Sequence, residues 1–160
     1  MKTLAHIKDG FSLVEVIVAV SIFLIVTLFL TDGLDQYLKS SRNAVPTVSA
    51  SFLIEESVEV MKTLRDISWD AEIASLTEGT SYHLFWDGSR YVPTTTPYYV
   101  FGIFSRTVAV SSVSRDANSD IAAGTDDPDT KKITVTTAWR NGNATTTKVA
   151  EAYITNIFDN

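Results

Sequence analysis

The most hydrophobic stretch of the chain lies close to its start. Residues 11–30, FSLVEVIVAVSIFLIVTLFL, are apolar except for Ser12, Glu15, Ser21 and Thr27. As an α-helix, this run would be about 30 Å long, which matches the thickness of the hydrocarbon core of a bilayer. The pattern therefore predicts a membrane-spanning helix.

The hydrophobic positions then become periodic, with the spacing of an amphipathic helix. Leu34, Tyr37 and Leu38 keep this spacing among charged residues. A second apolar stripe follows, made of Val48, Phe52, Leu53, Val60, Met61, Leu64 and Ile67. Pro46 lies between the two stripes and lacks a backbone N–H, so we expect a kink or a short break in the helix there.

Beyond residue 70 the period changes from 3.6 to 2, which predicts strands. Tyr82–Trp86 and Arg90–Val92 flank the turn sequence Asp87-Gly88-Ser89, which indicates a hairpin whose second strand ends at Pro93. The longest strand is expected over residues 98–110.

Within that strand, Gly102 indicates a bulge or a close backbone approach. Two further strands, 132–140 and 144–154, are joined by Asn141-Gly142-Asn143, a strong turn signal. We therefore expect about four antiparallel strands after the helix. Their aromatic side chains predict either packing in the sheet core and against the helix, or a carbohydrate-binding face. These side chains are Tyr82, Phe85, Trp86, Tyr98, Tyr99, Phe101 and Phe104.

Composition narrows the range of functions. A chain of 160 residues has room for one modest domain. Its net charge of -6 argues against binding to nucleic acid. The absence of cysteine excludes disulfides and thiolate chemistry, and with only His6 and His83 a multi-histidine metal site is excluded. We therefore expect no enzymatic activity.

Glu15 is the residue that a plain membrane anchor does not explain. An unpaired carboxylate in an apolar medium costs several kcal/mol. No lysine, arginine or histidine occurs from residue 9 to residue 38. Cleavage of the chain before Phe11 would create an α-amine four residues from Glu15, on the same face of the helix. A secretory signal peptide explains the segment less well, because its apolar region is too long and no small-x-small cleavage site follows.

The start of the chain is similar to a known family. The sequence Gly10-Phe11-Ser12-Leu13-Val14-Glu15, with Lys2 and Lys8 before it and an apolar helix after it, resembles the type IV pilin and pseudopilin signature. In that family, a prepilin peptidase removes a short basic leader on the cytoplasmic side of the membrane and methylates the new amino terminus.

The resemblance implies roles for three residues. Gly10 would be the last residue of the leader, Phe11 the N-methylated first residue of the mature chain, and Glu15 the acidic residue used in assembly. Asp9 departs from the family pattern, in which a basic residue is more usual.

The resemblance also implies an α+β fold, in which a long bent N-terminal helix packs on a small antiparallel β-sheet head. The leader would be residues 1–10, the transmembrane and assembly helix 11–30, the amphipathic stem 31–68 and the head 69–160. The ending WRNGNATTTKVAEAYITNIF is similar to the ends of V-type minor pilins and I-type pseudopilins.

The function implied is that of a structural, minor subunit of a type IV pilus, competence or type II secretion-like filament. The partners implied are other pilin or pseudopilin subunits, the prepilin peptidase and methyltransferase, and an assembly platform in the cytoplasmic membrane. The leader would lie in the cytoplasm and the head outside, before transfer to a pilus or a periplasmic filament. The alternative is a permanently membrane-anchored extracytoplasmic binding domain, in which Gly10 and Glu15 have no special role.

One acidic loop is a candidate metal site, although no cofactor is otherwise expected. Asp116, Asn118 and Asp120 have the spacing of the first ligands of a calcium loop, and Asp127 falls at the twelfth position. Ile121 replaces the glycine of such loops, and the twelfth residue is aspartate instead of glutamate. Calcium binding and a solvated acidic hairpin loop are therefore both open.

Overall fold

The computed structural model describes residues 12–158. The chain divides into two compact units, with the boundary between Asn43 and Ala44. One 55-residue helix, α1 (Leu13–Ile67), contains this boundary and also contains Pro46. Because proline has no backbone N–H, α1 lacks one internal hydrogen bond at Pro46. The helix nevertheless continues through this residue without a break.

In the first unit, the described side chains of residues 12–42 are all exposed. The hydroxyls of Ser21 and Thr27 donate to the carbonyl oxygens four residues earlier, at 2.7 and 2.8 Å. These bonds satisfy both polar side chains without water. By length and composition this part of α1 can cross a membrane, because it is an apolar helical segment at least 18 residues long with at most two charged residues.

The second unit contains the rest of α1, a short π-helix and a six-stranded sheet. The π-helix, Trp69–Ala74, follows α1 and buries Trp69 and Ile73. The strands are β1 (Tyr82–Trp86), β2 (Tyr91–Thr94), β3 (Tyr99–Val100), β4 (Phe104–Arg115), β5 (Thr125–Asn141) and β6 (Ala144–Thr155). All pairings are antiparallel; the order is β2-β1-β4-β5-β6, and β3 also pairs with β4.

One face of the sheet packs on α1. The larger core cluster joins Ile54, Val60, Met61 and Leu64 of α1 to Trp69, Ile73, Leu84, Val108, Val110, Ile133, Val135 and Ile154. A smaller cluster contains Ala50, Leu53, Phe104 and Trp139. Burial alternates along the middle of β4 and β5, because successive side chains of a strand point to opposite faces. The predicted α+β fold, a long helix packed on an antiparallel sheet, is confirmed.

The hairpin predicted from Asp87-Gly88-Ser89 is present as β1 and β2, but Pro93 does not end the second strand. Pro93 pairs with Leu84 inside β2. An edge strand tolerates proline because the missing N–H can face away from the ladder, and β2 is the outer strand of the sheet.

The prediction of a single strand over residues 98–110 is wrong. The segment forms β3 and the first part of β4, separated by a turn in which Phe101 and Gly102 both have positive φ, of 52° and 69°. Gly102 therefore marks a chain reversal instead of a bulge. The turn predicted at Asn141-Gly142-Asn143 is present, and Gly142 has the positive φ of 63° that only glycine adopts without strain.

We predict that Ile133→Ala destabilises the protein by about 2–5 kcal/mol, because Ile133 is fully buried between sheet and helix. Its neighbour Thr134 lies on the opposite, half-buried face of β5. Thr134→Ala is therefore expected to cost well under about 1 kcal/mol. Denaturant unfolding of both full-length variants in detergent checks this prediction, and equal effects would contradict the assigned faces of β5.

Candidate functional site

Glu15 lies in the first turn of α1. A carboxylate at this end of a helix interacts favourably with the partial positive charge of the free backbone N–H groups. Within residues 12–158, the side chain of Glu15 has neither a hydrogen bond nor an ion pair. The next cation along the described helix is Lys39, about 36 Å away at 1.5 Å per residue. Glu15 is thus the single charge in the described apolar segment of residues 12–31.

The helix around Glu15 is apolar on all sides. Leu13, Val14, Val16 and Ile17 are all at least 48 % exposed, so none of them is packed inside the protein. A surface of this kind requires a membrane or other helices to remove it from water. In either medium, a charged Glu15 needs a cationic partner, and the described part of its own helix has no cation nearer than Lys39.

Gly10 and Phe11, the residues predicted for processing, lie outside the described residues. Their relation to Glu15 therefore rests on helical spacing, which places positions 11 and 15 on one face if the helix extends to residue 11. The roles predicted for Gly10, Phe11 and Glu15 stay predictions.

The head contains an ionic cluster that the sequence analysis missed. Arg106 on β4 is 2 % exposed, and its Nη1 donates to Oε2 of Glu56 on α1 at 2.7 Å. Its Nη2 donates to the carbonyl oxygen of Leu84 on β1 at 3.3 Å. The guanidinium carbon lies 5.4 Å from the centre of the Tyr91 ring, within the range of a cation–π contact. A signal existed, because Arg106 occupies an inward position between Phe104 and Val108 in the alternating pattern of β4.

Glu56 also accepts a hydrogen bond from the Tyr91 hydroxyl. The hydrogen bond to Glu56 and the partial burial of the ring raise the pKa of Tyr91, so its hydroxyl stays protonated and remains a donor. One carboxylate of α1 therefore holds side chains from both β2 and β4. The Nε of Arg106 has no hydrogen-bond partner among the described residues. Glu56 is the carboxylate that compensates the charge of the Arg106 guanidinium.

The four candidate calcium ligands are divided between a loop and a strand. Oδ1 of Asp116 accepts the backbone N–H groups of Asn118 and Asp120 at 2.8 and 3.0 Å, so it is used within its own loop. Asp127 belongs to β5 and pairs with Arg115, which lowers the pKa of Asp127. Among residues 12–158, no group of three or more His, Cys, Asp or Glu is placed to hold a metal ion. The calcium site stays a prediction.

Most of the aromatic side chains considered for the sheet core are on the surface. Phe104 is buried and Tyr82 is half-buried, whereas Phe85, Trp86, Tyr98, Tyr99 and Phe101 are exposed. The interpretation of the cluster as sheet core is therefore wrong for these five residues. They lie on β1, on β3 and in the segments beside β3. Trp86 lines a surface groove together with Glu56 and Val60 of α1, so it borders the helix without being buried by it.

Comparisons with known proteins gave one match. The family model described as the prokaryotic N-terminal methylation motif matches residues 7–31. Neither the search of curated proteins nor the search of solved structures gave a match. The match contains Gly10, Phe11 and Glu15, and it covers the start of the chain but not the head.

We predict that Glu56→Ala destabilises the protein by about 2 kcal/mol, because Arg106 stays buried without its carboxylate. The value is below that of a fully buried pair because Glu56 is 40 % exposed. Glu55→Ala is the matched control, since Glu55 is exposed on the same helix and has no contact of this kind. Urea unfolding of the full-length variants measures both changes; equal values for the two would exclude the stabilising role of the cluster.

Proposed function

We propose that this chain, which carries the N-terminal methylation motif of type IV pilin-like proteins, is a structural subunit of a filament. The filament is a pilus or a secretion-like filament, and the chain is a minor subunit of it. The motif supports a pilin-like protein that is processed by a prepilin peptidase. The long apolar helix fits a membrane-anchored protein of this type. The proposal depends mainly on one observation: within the residues matched by the motif, Glu15 is the single charged residue of the described apolar segment 12–31.

Processing removes the leader after Gly10 and exposes the amine of Phe11. This amine stays cationic after N-methylation, so it can compensate a carboxylate. Before cleavage, the peptide nitrogen of Phe11 carries no charge. The compensation that Glu15 needs in an apolar medium is therefore produced by the maturation step itself.

Assembly then transfers the apolar helix from the membrane into a core of packed helices. Both media are poor in water, so the apolar side chains around α1 stay buried throughout. Glu15 pairs with the amine of Phe11 on an adjacent subunit, and any other axial register leaves both charges unpaired. The pair therefore acts on specificity more than on net stability.

The net charge of -6 argues against nucleic acid as a partner of the head. Its outward sheet edge and exposed aromatic side chains are available to other molecules. The second candidate, a permanently anchored binding domain, is favoured by those exposed rings. It predicts a mature chain that begins at Met1, whereas the pilin-like subunit begins at N-methylated Phe11; mass spectrometry of the amino-terminal peptide distinguishes them.

We predict that Gly10→Val blocks processing, because a branched side chain replaces the hydrogen of glycine next to the scissile bond. The full-length precursor should accumulate in the membrane, as seen by immunoblotting and amino-terminal mass spectrometry. Gly33→Val is the control, since an added Cβ at Gly33 meets no atom within 4 Å. Mature, filament-associated protein from the Gly10→Val variant would show that Gly10 is not the processing residue.

We predict that Glu15→Val is inserted and cleaved normally but enters filaments at a level reduced by about tenfold or more. This reduction corresponds to about 1.4 kcal/mol of lost pairing preference. Thr27→Val is the control, because it also removes a polar group from the apolar helix but removes no charge. Quantification of tagged wild-type and variant copies in sheared filaments provides the measurement, and equal incorporation would contradict the registration role of Glu15.

A further inference from the structure

A concave surface of the head lies beside β1 and β2, outside the assembly helix. This cavity has a volume of about 570 Å³. Its lining includes Phe85, Asp87, Pro93, Thr96, Pro97 and Tyr98, and we name it the Tyr98 cavity. A volume of this size is within the range of small-molecule binding sites.

We propose that the Tyr98 cavity binds a neutral oligosaccharide. A sugar ring has apolar C–H faces and a rim of hydroxyl groups, so its binding site needs exposed aromatic rings together with hydrogen-bonding groups at the edge. The cavity supplies both. This inference concerns the head and is independent of the function proposed for the N-terminal helix.

The aromatic wall consists of Phe85 and Tyr98. Their ring centres are 5.4 Å apart and their planes meet at 85°, so each ring holds the other in an edge-to-face contact. Phe85 and Tyr98 are nevertheless 43 % and 37 % exposed. Two large rings that are fixed in position but left accessible provide surface for an apolar face of a ligand.

The polar rim is supplied by Asp87 and Thr96. Oδ1 of Asp87 accepts three hydrogen bonds, from the backbone N–H groups of Ser89 and Arg90 and from the Ser89 hydroxyl, at 2.8 to 2.9 Å. Oδ2 of Asp87 and the hydroxyl of Thr96 have no partner among residues 12–158. These two groups can accept and donate hydrogen bonds to the hydroxyls of a sugar.

The cavity is held open by local structure. The three bonds to Oδ1 fix the turn between β1 and β2, and they also lower the pKa of Asp87, which keeps the carboxylate charged at neutral pH. Pro93 and Pro97, which also line the cavity, restrict the backbone at their positions. The backbone N–H of Thr96 donates to the Thr94 hydroxyl at 3.1 Å, which orders the segment before Tyr98. Little order therefore has to be gained on binding.

The charges of the lining select against acidic ligands. None of the described residues that line the cavity is lysine, arginine or histidine, and Asp87 contributes a negative charge. The nearby Arg90 is engaged at 2.7 Å by Glu72. A phosphorylated or carboxylated sugar would be repelled by the Asp87 carboxylate, and the net charge of -6 adds to this repulsion.

The same rim argues against an apolar protein surface as the occupant. A protein helix or loop that covered the rings would also cover Oδ2 of Asp87 and the Thr96 hydroxyl. Both groups would lose water, and an apolar partner would not replace it. A polyhydroxylated ligand satisfies them while it covers the rings.

The test is isothermal titration calorimetry with the purified full-length chain in an amine-oxide detergent, because detergents with sugar headgroups would compete. The probes are maltotriose, cellotriose, mannotriose and tri-N-acetylchitotriose, with trigalacturonate as the acidic comparison. We expect saturable binding of at least one neutral probe at millimolar concentration or below. We expect trigalacturonate to bind at least about tenfold more weakly than that neutral probe.

Variants locate the site. Tyr98→Ala should weaken binding by about tenfold, and Tyr98→Phe, which keeps the ring, should change it by no more than about twofold. Asp87→Asn keeps an acceptor for the turn but replaces Oδ2 by a donor, and it should also weaken binding by about tenfold. Tyr153→Ala is the control, because Tyr153 is an exposed ring on β6 that does not line the cavity. Thermal unfolding midpoints confirm that each variant is folded.

Several results would overturn the proposal. They are the absence of binding by all four neutral probes, binding that Tyr98→Ala leaves unchanged, and equal binding of trigalacturonate. If no neutral probe binds and Tyr98→Ala reduces recovery of the chain in filaments, the Tyr98 cavity is a contact between subunits and the proposal is wrong. None of these results bears on cleavage after Gly10, so failure of this inference is separate from failure of the proposed function.

Discussion

Burial of one face of α1 against the sheet is the interaction on which the folded head depends. The fully buried side chains of Met61 and Leu64 meet those of Ile133 and Val135 in one cluster, which contains residues from α1, the π-helix and four of the six strands. An antiparallel sheet of this size has no second layer of its own, so the helix supplies the apolar surface that closes the core. The ion pair between Glu56 of α1 and Arg106 of β4 fixes the position of the helix along the sheet, because Arg106 has no other carboxylate partner among the described residues.

The part of α1 in the first unit has no buried side chain among its described residues. Its residues are apolar around the whole circumference and none is covered within the protein. A membrane or a core of helices can cover them, and both discriminate strongly against an unpaired charge. The Glu15 carboxylate therefore destabilises the helix in either medium unless a cation pairs with it. The hydrophobic pattern of α1 thus changes along its length, from apolar on all sides to apolar on one face.

Large rings on the head show how burial depends on position as well as on residue type. The ring centres of Phe104 and Trp139 are 5.9 Å apart, and both rings are buried in a cluster with Ala50 and Leu53 of α1. The ring centres of Phe85 and Tyr98 are closer, at 5.4 Å, yet both rings remain accessible. Hydrophobicity alone does not separate the two pairs. The difference arises because α1 covers only one face of the sheet, so rings on the other face or beyond the strand ends stay in contact with solvent.

The sequence by itself determined the features that depend on neighbouring residues. The apolar segment, the amphipathic helix after it, the hairpin at Asp87 and the turn at Gly142 all follow from periodicity or from backbone conformations that few residues adopt. The methylation motif is equally local, which is why the candidate processing site was recognisable without a structure. Only the tertiary structure decided the division of residues 98–110 into two strands, the pairing of Glu56 with Arg106 across 50 positions, and the exposure of Tyr98. These features depend on which distant elements pack together, and the spacing of residues along one segment carries no information about the segment that will cover it.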